Sequence, residues 1–227
     1  MHFIFLTRCF TPENIARIKG DIMRLFIGSE HTYEHLIVVD MSHGSSRDDY
    51  VDFADEVTTV FFTDQKPVND TQNVFGMNEA LSTVTQDGYV YVLDDDNTLH
   101  KYFLDVCKEC NGEDAIVFKI IGRPDLGNPC TMHILRRIDW ANFITKVSTI
   151  KNLGIDVGDN RNEDALFFTK MVRNNCKIKF INKMIAYYNA LPRTASSREE
   201  TPAEETPAQT EEQNTEEPST DEPTTER

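Results

Sequence analysis

Three consecutive carboxylates, Asp94, Asp95 and Asp96, close an apolar run that starts at Gly88 and reads Gly-Tyr-Val-Tyr-Val-Leu; Asn97 follows them. Acidic side chains this close repel one another, and each is costly to desolvate. A hard divalent cation, which prefers oxygen ligands, relieves both penalties. The cluster therefore reads as the edge of a metal-assisted site at the carboxyl end of a strand, where ligands sit in open α/β sheets. The plainer alternative is a turn or a helix N-cap, with a helix over 98–110, since Asp and Asn are common in both roles. An EF-hand loop is excluded, because Leu99 stands where that loop needs Gly and Asp105 where it needs Glu.

Two further acidic sites fall at element ends. Asp40 closes the run Leu-Ile-Val-Val, and Glu163-Asp164 opens an amphipathic pattern after the polar loop 154–162. In a parallel sheet Asp40 and the Asp94–Asp96 cluster share one rim. For Glu163 and Asp164 the plainer role is a first-turn charge favoured by the helix dipole.

The elements that must position these acids follow from periodicity. His2 to Leu6 reads as a strand. Thr11-Pro12-Glu13 starts a helix, with an N-cap hydroxyl, Pro at the first position and an acid in the first turn. Ile15, Ile18, Ile22 and Leu25 give that helix one buried face. Leu36 to Asp40 suits a parallel strand covered on both sides, and Glu56 to Phe62 is a third strand. A helix from Asp70 carries Val74, Met77, Leu81 and Val84 into the strand at Gly88, and Ala115 to Ile121 is a further strand. Strand alternates with helix to about residue 120, which argues an α/β fold with a mostly parallel, doubly wound sheet. Beyond it we expect a strand at 131–135, a helix over 138–147 with the only Trp, Trp140, a helix from Glu163 to about Asn174, and closing strands at 177–182 and 184–189.

The 227 residues carry a formal net charge of −15. Residues 194–227 hold eleven acidic and two basic side chains, a net of −9, which leaves −6 on the other 193 residues. That tail is Thr, Glu, Pro, Ser and Ala without a large apolar residue and is expected to be disordered. The expected organisation is one domain over 1–193, with halves at 1–120 and 121–193, and the tail at 194–227. Nothing is basic enough for nucleic acid. Five scattered cysteines, Cys9, Cys107, Cys110, Cys130 and Cys176, suit free thiols in a reducing compartment. The lone Cys107-x-x-Cys110 pair lacks the partners of a zinc or redox motif. No stretch approaches the roughly 20 apolar residues of a membrane helix, and the first ten residues are too short for a leader. A cytoplasmic protein is expected, with peripheral membrane or protein contact through the acidic tail left open.

The ordered set of Leu-Ile-Val-Val-Asp40, Asn78-Glu-Ala-Leu, Tyr-Val-Tyr-Val-Leu-Asp94-Asp95-Asp96-Asn97, Asn162-Glu163-Asp164-Ala165-Leu166 and Lys177-Ile-Lys-Phe-Ile resembles the family 2-like glycosyltransferases of the GT-A fold, over about residues 1–190. The resemblance implies a nucleotide-sugar donor in the first half of the sheet, with residues 121–193 serving the acceptor. Asp40 resembles the acid that accepts from a uracil ring. Thr7 and Arg8 would lie beside the nucleotide. Asp94 and Asp95 resemble the pair facing ribose and metal, and Asp96, the end of the Asp-x-Asp motif, the direct ligand of Mn²⁺ or Mg²⁺. Asp164 resembles the general base that deprotonates the acceptor hydroxyl, giving inversion, and Glu163 a residue that holds acceptor hydroxyls. The chain departs from the family in Leu6-Thr-Arg-Cys-Phe after the first strand, in Met77 where a basic residue is common, and in Asp-Met-Ser-His-Gly after the second strand, which lacks a second acid. The Gln-x-x-Arg-Trp motif of processive synthases is absent, which favours single additions.

The expected activity is therefore a metal-dependent inverting glycosyltransferase using a nucleotide sugar, with UDP as the expected nucleotide. The rivals are a nucleotidyltransferase, which wants a Gly-rich basic phosphate loop near the N-terminus, and a non-catalytic nucleotide-sugar-binding or scaffolding protein. His133, Arg136 and Arg137 fall where the family lines its pocket, although a solvated face explains the Arg pair equally well. His31 and His35 read as surface histidines, and Tyr187 and Tyr188 as packing residues.

Overall fold

Alternation along the first strand shows how the molecule is layered. All eight residues of β1, His2–Cys9, are buried. Phe3 and Phe5 point to one side, where Ile18, Ile22 and Phe26 of helix α1 (Pro12–Phe26) pack with Phe103 and Val106. Ile4 and Leu6 point to the other, against Met77 and Leu81 of α2 (Val74–Thr83), Ile150 of α3 (Val147–Leu153) and Phe167 and Met171 of α4 (Glu163–Arg173). A strand covered on both faces reads as a continuous apolar run, and burying each large side chain contributes roughly 1.5–3 kcal/mol.

The computed structural model describes residues 1–9, 11–41, 46–63, 74–122, 138–155, 163–188 and 190. The remaining strands are β2 (Thr32–Asp40), β3 (Thr58–Thr63), β4 (Tyr89–Val92), β5 (Thr98–Leu99), β6 (Ala115–Ile121), β7 (Phe143–Lys146) and β8 (Ile178–Tyr187). They form one mixed sheet in the order β3-β2-β1-β4-β7-β6-β8-β5. β3, β2, β1 and β4 run parallel, as do β6 and β8, whereas β4–β7, β6–β7 and β5–β8 are antiparallel. The architecture is the α/β sheet flanked by helices that was expected, with its parallel block in the first half of the chain. Among the described residues no helix is long and apolar enough to cross a membrane.

Local chemistry explains several boundaries. Pro12 and Glu13 start α1 as expected, but the Thr11 hydroxyl makes no cap hydrogen bond. The backbone N–H of Thr11 donates instead to Asp95 Oδ2 at 2.7 Å. Gly88 precedes β4 because a Cβ there would lie 2.3 Å from the carbonyl oxygen of His2. That neighbour is backbone and cannot swing aside. Gly88→Ala is expected to destabilise the fold by roughly 1–3 kcal/mol, as overpacking does; chemical denaturation measures it, and an unchanged midpoint would count against the contact.

Three expectations are corrected. Residues 138–147 are not a helix: Asp139 caps a single 3-10 turn, Trp140–Asn142, through a reciprocal capping box with Asn142, and β7 follows. After the acids the chain forms β5 and a 3-10 helix, Phe103–Glu109, rather than an α-helix over 98–110. The two closing strands are one, β8, with register shifts against β6. Cys9, Cys107, Cys110 and Cys176 are free thiols. The start of the helix expected from Asp70, the strand expected at 131–135 with His133, Arg136 and Arg137, Cys130, most of the loop before Glu163, and the tail lie outside the described residues.

Candidate active site

Strand order alone picks out a crevice. The chain leaves β1 for β2 on one side and reaches β4 on the other, and ligands of open α/β sheets bind outside the carboxyl ends of strands at such a switch. The register puts Leu6 of β1 opposite Val92 of β4, and the Leu93 N–H continues the ladder to the Leu6 carbonyl at 3.0 Å. The next residues out are Arg8 on β1 and Asp94 after β4. Asp40 ends β2, beside β1, on the same rim.

The acids sit in a turn, closed by the Asn97 N–H donating to the Asp94 carbonyl at 3.0 Å. The turn alternative was therefore correct for the backbone, whereas the helix cap was not. Asp94, Asp95 and Asp96 are all buried, at 9, 0 and 2% exposure, and a turn of surface acids has no reason to be.

Arg8 is the residue that organises the site. Alternation along β1 turns it to the α4 side, and it is 3% exposed. Its Nε donates to Asp94 Oδ1 at 2.6 Å and its Nη2 to Asp94 Oδ2 at 2.8 Å, while Nη1 donates to Glu163 Oε1 at 2.8 Å. One guanidinium thus joins the acid turn after β4 to the first residue of α4. Burial opposes its charge, but Asp94, Glu163 and Asp139 outweigh burial and raise its pKa. Such fork-shaped pairing fixes geometry as well as charge.

Asp164, next to Glu163, is half-buried. Burial pushes its carboxyl up to about 7; the Asp139 and Glu163 charges add to the rise, while the Ala165 N–H, which donates to Oδ1 at 2.6 Å, and Arg8 oppose it. A carboxylate tuned to that range is matched to proton abstraction near neutral pH. The start of the loop that leads toward α4 is tied to α2: Asn78 Nδ2 donates to the Ile155 carbonyl at 3.0 Å and Asn78 Oδ1 accepts from the Ile155 N–H at 3.3 Å.

The structure thus joins Arg8, Asp94 and Glu163 directly and sets Asp164 beside them. Thr7 faces the α1 side, its hydroxyl 2.9 Å from His35 Nε2. His35 is not a surface residue as expected; it is 1% exposed, and burial lowers its pKa to about 3, so its ring is neutral. Asp139 was missed by sequence reasoning. It is buried and its charge acts on both Arg8 and Asp164. Its only sequence signal was the Asp-x-x-Asn spacing of a cap. The described residues also line a cavity of about 330 Å³ between α1, β2 and the turn before β3, but none of the site acids lines it.

The oxygen-only donor set of the acid turn suits Mn²⁺ or Mg²⁺. Among the described residues no group of three or more His, Cys, Asp or Glu is arranged to hold a metal ion. The residues fit an ion held by one or two carboxylates and completed by substrate phosphates, the usual arrangement for Mg²⁺, rather than an all-protein cage. Both Asp94 oxygens accept from Arg8, and Asp95 Oδ2 accepts from the Thr11 N–H.

Neither protein-family models nor curated protein sequences match the chain. Solved structures do. The crystal structure of S. aureus TarS 1-349 matches with a TM-score of 0.63 at 18% identity, over 82% of this chain and 60% of that one; TarS 1-349 has also been crystallised in complex with UDP. The mannosyltransferase PcManGT from Pyrobaculum calidifontis, in complex with GDP-Man and Mn²⁺, matches at 0.62 and 13% identity, over 86% of this chain and 58% of that one. The inositol-1-phosphate CTP transferase from T. maritima matches at 0.54 and 12% identity, over 85% and 90%. The chain therefore spans about three-fifths of the length of the first two. The structural neighbours are mainly glycosyltransferases, with some nucleotidyltransferases. At these identities the likeness fixes the fold as GT-A-like.

Proposed function

We propose that this chain is a glycosyltransferase that moves a sugar from a nucleotide sugar, with UDP as the nucleotide, to an acceptor hydroxyl with inversion and with a divalent cation. The observation that carries the reading is the Arg8 fork, which brings the acid turn after β4 and the Glu163-Asp164 pair of α4 to one place on a GT-A-like fold. Neighbours whose structures were solved in complex with UDP, and with GDP-Man and Mn²⁺, support the donor class.

Residues 1–120 would form the donor half, with Asp40 toward the nucleoside and the β1 end at Thr7 and Arg8 supporting that side of the site from within, and residues 121–193 the acceptor half. Asp96, flanked by Asp94 and Asp95, would hold Mn²⁺ or Mg²⁺. The ion would supply positive charge to the diphosphate as it leaves with the bonding electron pair. Asp164 takes the acceptor proton as the acceptor oxygen bonds to the anomeric carbon and the bond to the diphosphate breaks. A base acting on the face opposite the leaving group permits direct displacement. Glu163 would hold acceptor hydroxyls at the head of α4. The tail at 194–227 contributes nothing to this chemistry in the reading and remains the candidate arm for a protein or membrane partner.

The test uses the full chain with Mn²⁺ and a panel of nucleotide sugars, read as free nucleoside diphosphate, with calorimetric titration of UDP and GDP alongside. UDP binding and UDP release are expected. GDP release would replace the nucleotide. Binding without release from any donor, with acceptor sugars present, would favour a non-catalytic binder. Pyrophosphate from a nucleoside triphosphate and a sugar 1-phosphate would move the chain to the nucleotidyltransferases.

A further inference from the structure

Arg8 is spent on protein contacts, which gives it a task other than touching a nucleotide. Its guanidinium is fully enclosed, all three of its nitrogens donate to carboxylates, and the two carboxylates belong to segments 69 residues apart in the chain, Asp94 and Glu163. Asp94 is held by two parallel hydrogen bonds, which fixes the plane of the fork and so the direction in which Nη1 reaches α4. Asp139, the cap of the turn before β7, adds a third negative charge to the same guanidinium. Without Arg8, Asp94 and Glu163 would be neighbouring buried anions that repel, and the head of α4 would move away from the acid turn. Asp164 is attached to that head.

We propose that Arg8 is a positioning residue: its fork clamps the acid turn after β4 to the first turn of α4, and so sets where Asp164 stands relative to the donor. The proposal rests on the glycosyltransferase reading for the roles of the two ends, but the clamp itself is a statement about the protein alone. A shift of about 1 Å in a reacting group can lower turnover on the order of 100-fold. A lysine at position 8 keeps the charge but is a point donor that cannot reproduce the planar fork.

The experiment compares Arg8→Lys, Glu163→Gln and the double variant in the full chain. Amide hydrogen exchange without ligand is the first readout: the first turn of α4, residues 163–166, is expected to exchange faster in both single variants, while the amides of β6 stay as they were. Turnover is the second. Arg8→Lys is expected to lower kcat about 100-fold with donor KM and Mn²⁺-dependent UDP affinity little changed, and at saturating acceptor, where the hold of Glu163 on acceptor hydroxyls falls on acceptor KM, the double variant is expected to be no slower than Arg8→Lys alone, because both changes cut the same link. Should Arg8→Lys fail to fold, Glu163→Gln carries the exchange arm. Unchanged exchange at α4 in the folded variants overturns the proposal. So do single-variant losses in kcat that simply multiply, or a loss of UDP affinity as large as the loss in kcat, which would make Arg8 a donor contact. A wild-type chain that releases no nucleotide from any donor sinks the glycosyltransferase reading, and the exchange result still decides the clamp.

Discussion

Asp164→Asn is expected to bind UDP with Mn²⁺ as the wild type does and to lose turnover by about 10²–10⁴-fold, the range general-base catalysis supplies. The substitution keeps the shape of the side chain and the oxygen that accepts from the Ala165 N–H, and removes only the ability to take a proton. In the wild type, turnover should climb as pH rises through about 7, where burial holds the Asp164 pKa, and that limb should vanish in the variant. The stability effect has the opposite sign. A carboxyl whose folded pKa lies above its unfolded value stabilises the fold while protonated. Its contribution is present below the unfolded pKa, near 4, and is lost as pH rises through about 7. Asn cannot ionise, so above pH 8 the variant should be the more stable protein, by on the order of 1–3 kcal/mol. Denaturant titrations at pH 5 and pH 9 measure this. Normal turnover in the variant would remove Asp164 as the base, and a variant less stable than wild type at pH 9 would mean the site does not raise its pKa.

Asp96→Ala is expected to abolish the Mn²⁺-dependent part of UDP binding, a loss on the order of 100-fold or more, because an ion at the diphosphate contributes several kcal/mol. The fold should survive. Asp96 is the last of three adjacent buried acids, so deleting one relieves repulsion among the rest, and the thermal midpoint should stay within a few degrees of wild type. Titrating UDP with and without Mn²⁺ separates the two effects. Undiminished metal-dependent affinity in a folded variant would show that the ion is held elsewhere. Asp94 is a poorer place to make this test. Removing it strands Arg8 beside Glu163 without the fork, and lost binding would then mix metal chemistry with a displaced α4.

The acid turn was legible because it is local: an apolar run rich in β-branched and aromatic residues ends in charge, whatever the rest of the molecule does. The start of α4 was legible for the same reason, since an acid pair before Leu166, Phe167 and Met171 marks both a first turn and a buried face. The short elements were not. Phe143-Ile-Thr-Lys146 is too brief for its period to separate strand from helix, and what makes it a strand is pairing with β4 and β6 on either side. His35 was misjudged because β2 starts at Thr32, ahead of the apolar run that marked it. The inner nature of Arg8 could not be read at all. A charged residue two places after four apolar ones looks like a strand emerging into solvent, and only its partners, 86 and 155 residues away, show that it stays inside.

Those two separations carry a consequence for how the protein is made. β1, β2 and β3 can associate as soon as they leave the ribosome, yet the guanidinium among them has no second hydrogen-bonded carboxylate until position 163 has been synthesised. The clamp is therefore completed only once α4 has been made, and a nascent or nicked chain that lacks α4 is expected to lack the proposed centre however well β1 to β4 have folded.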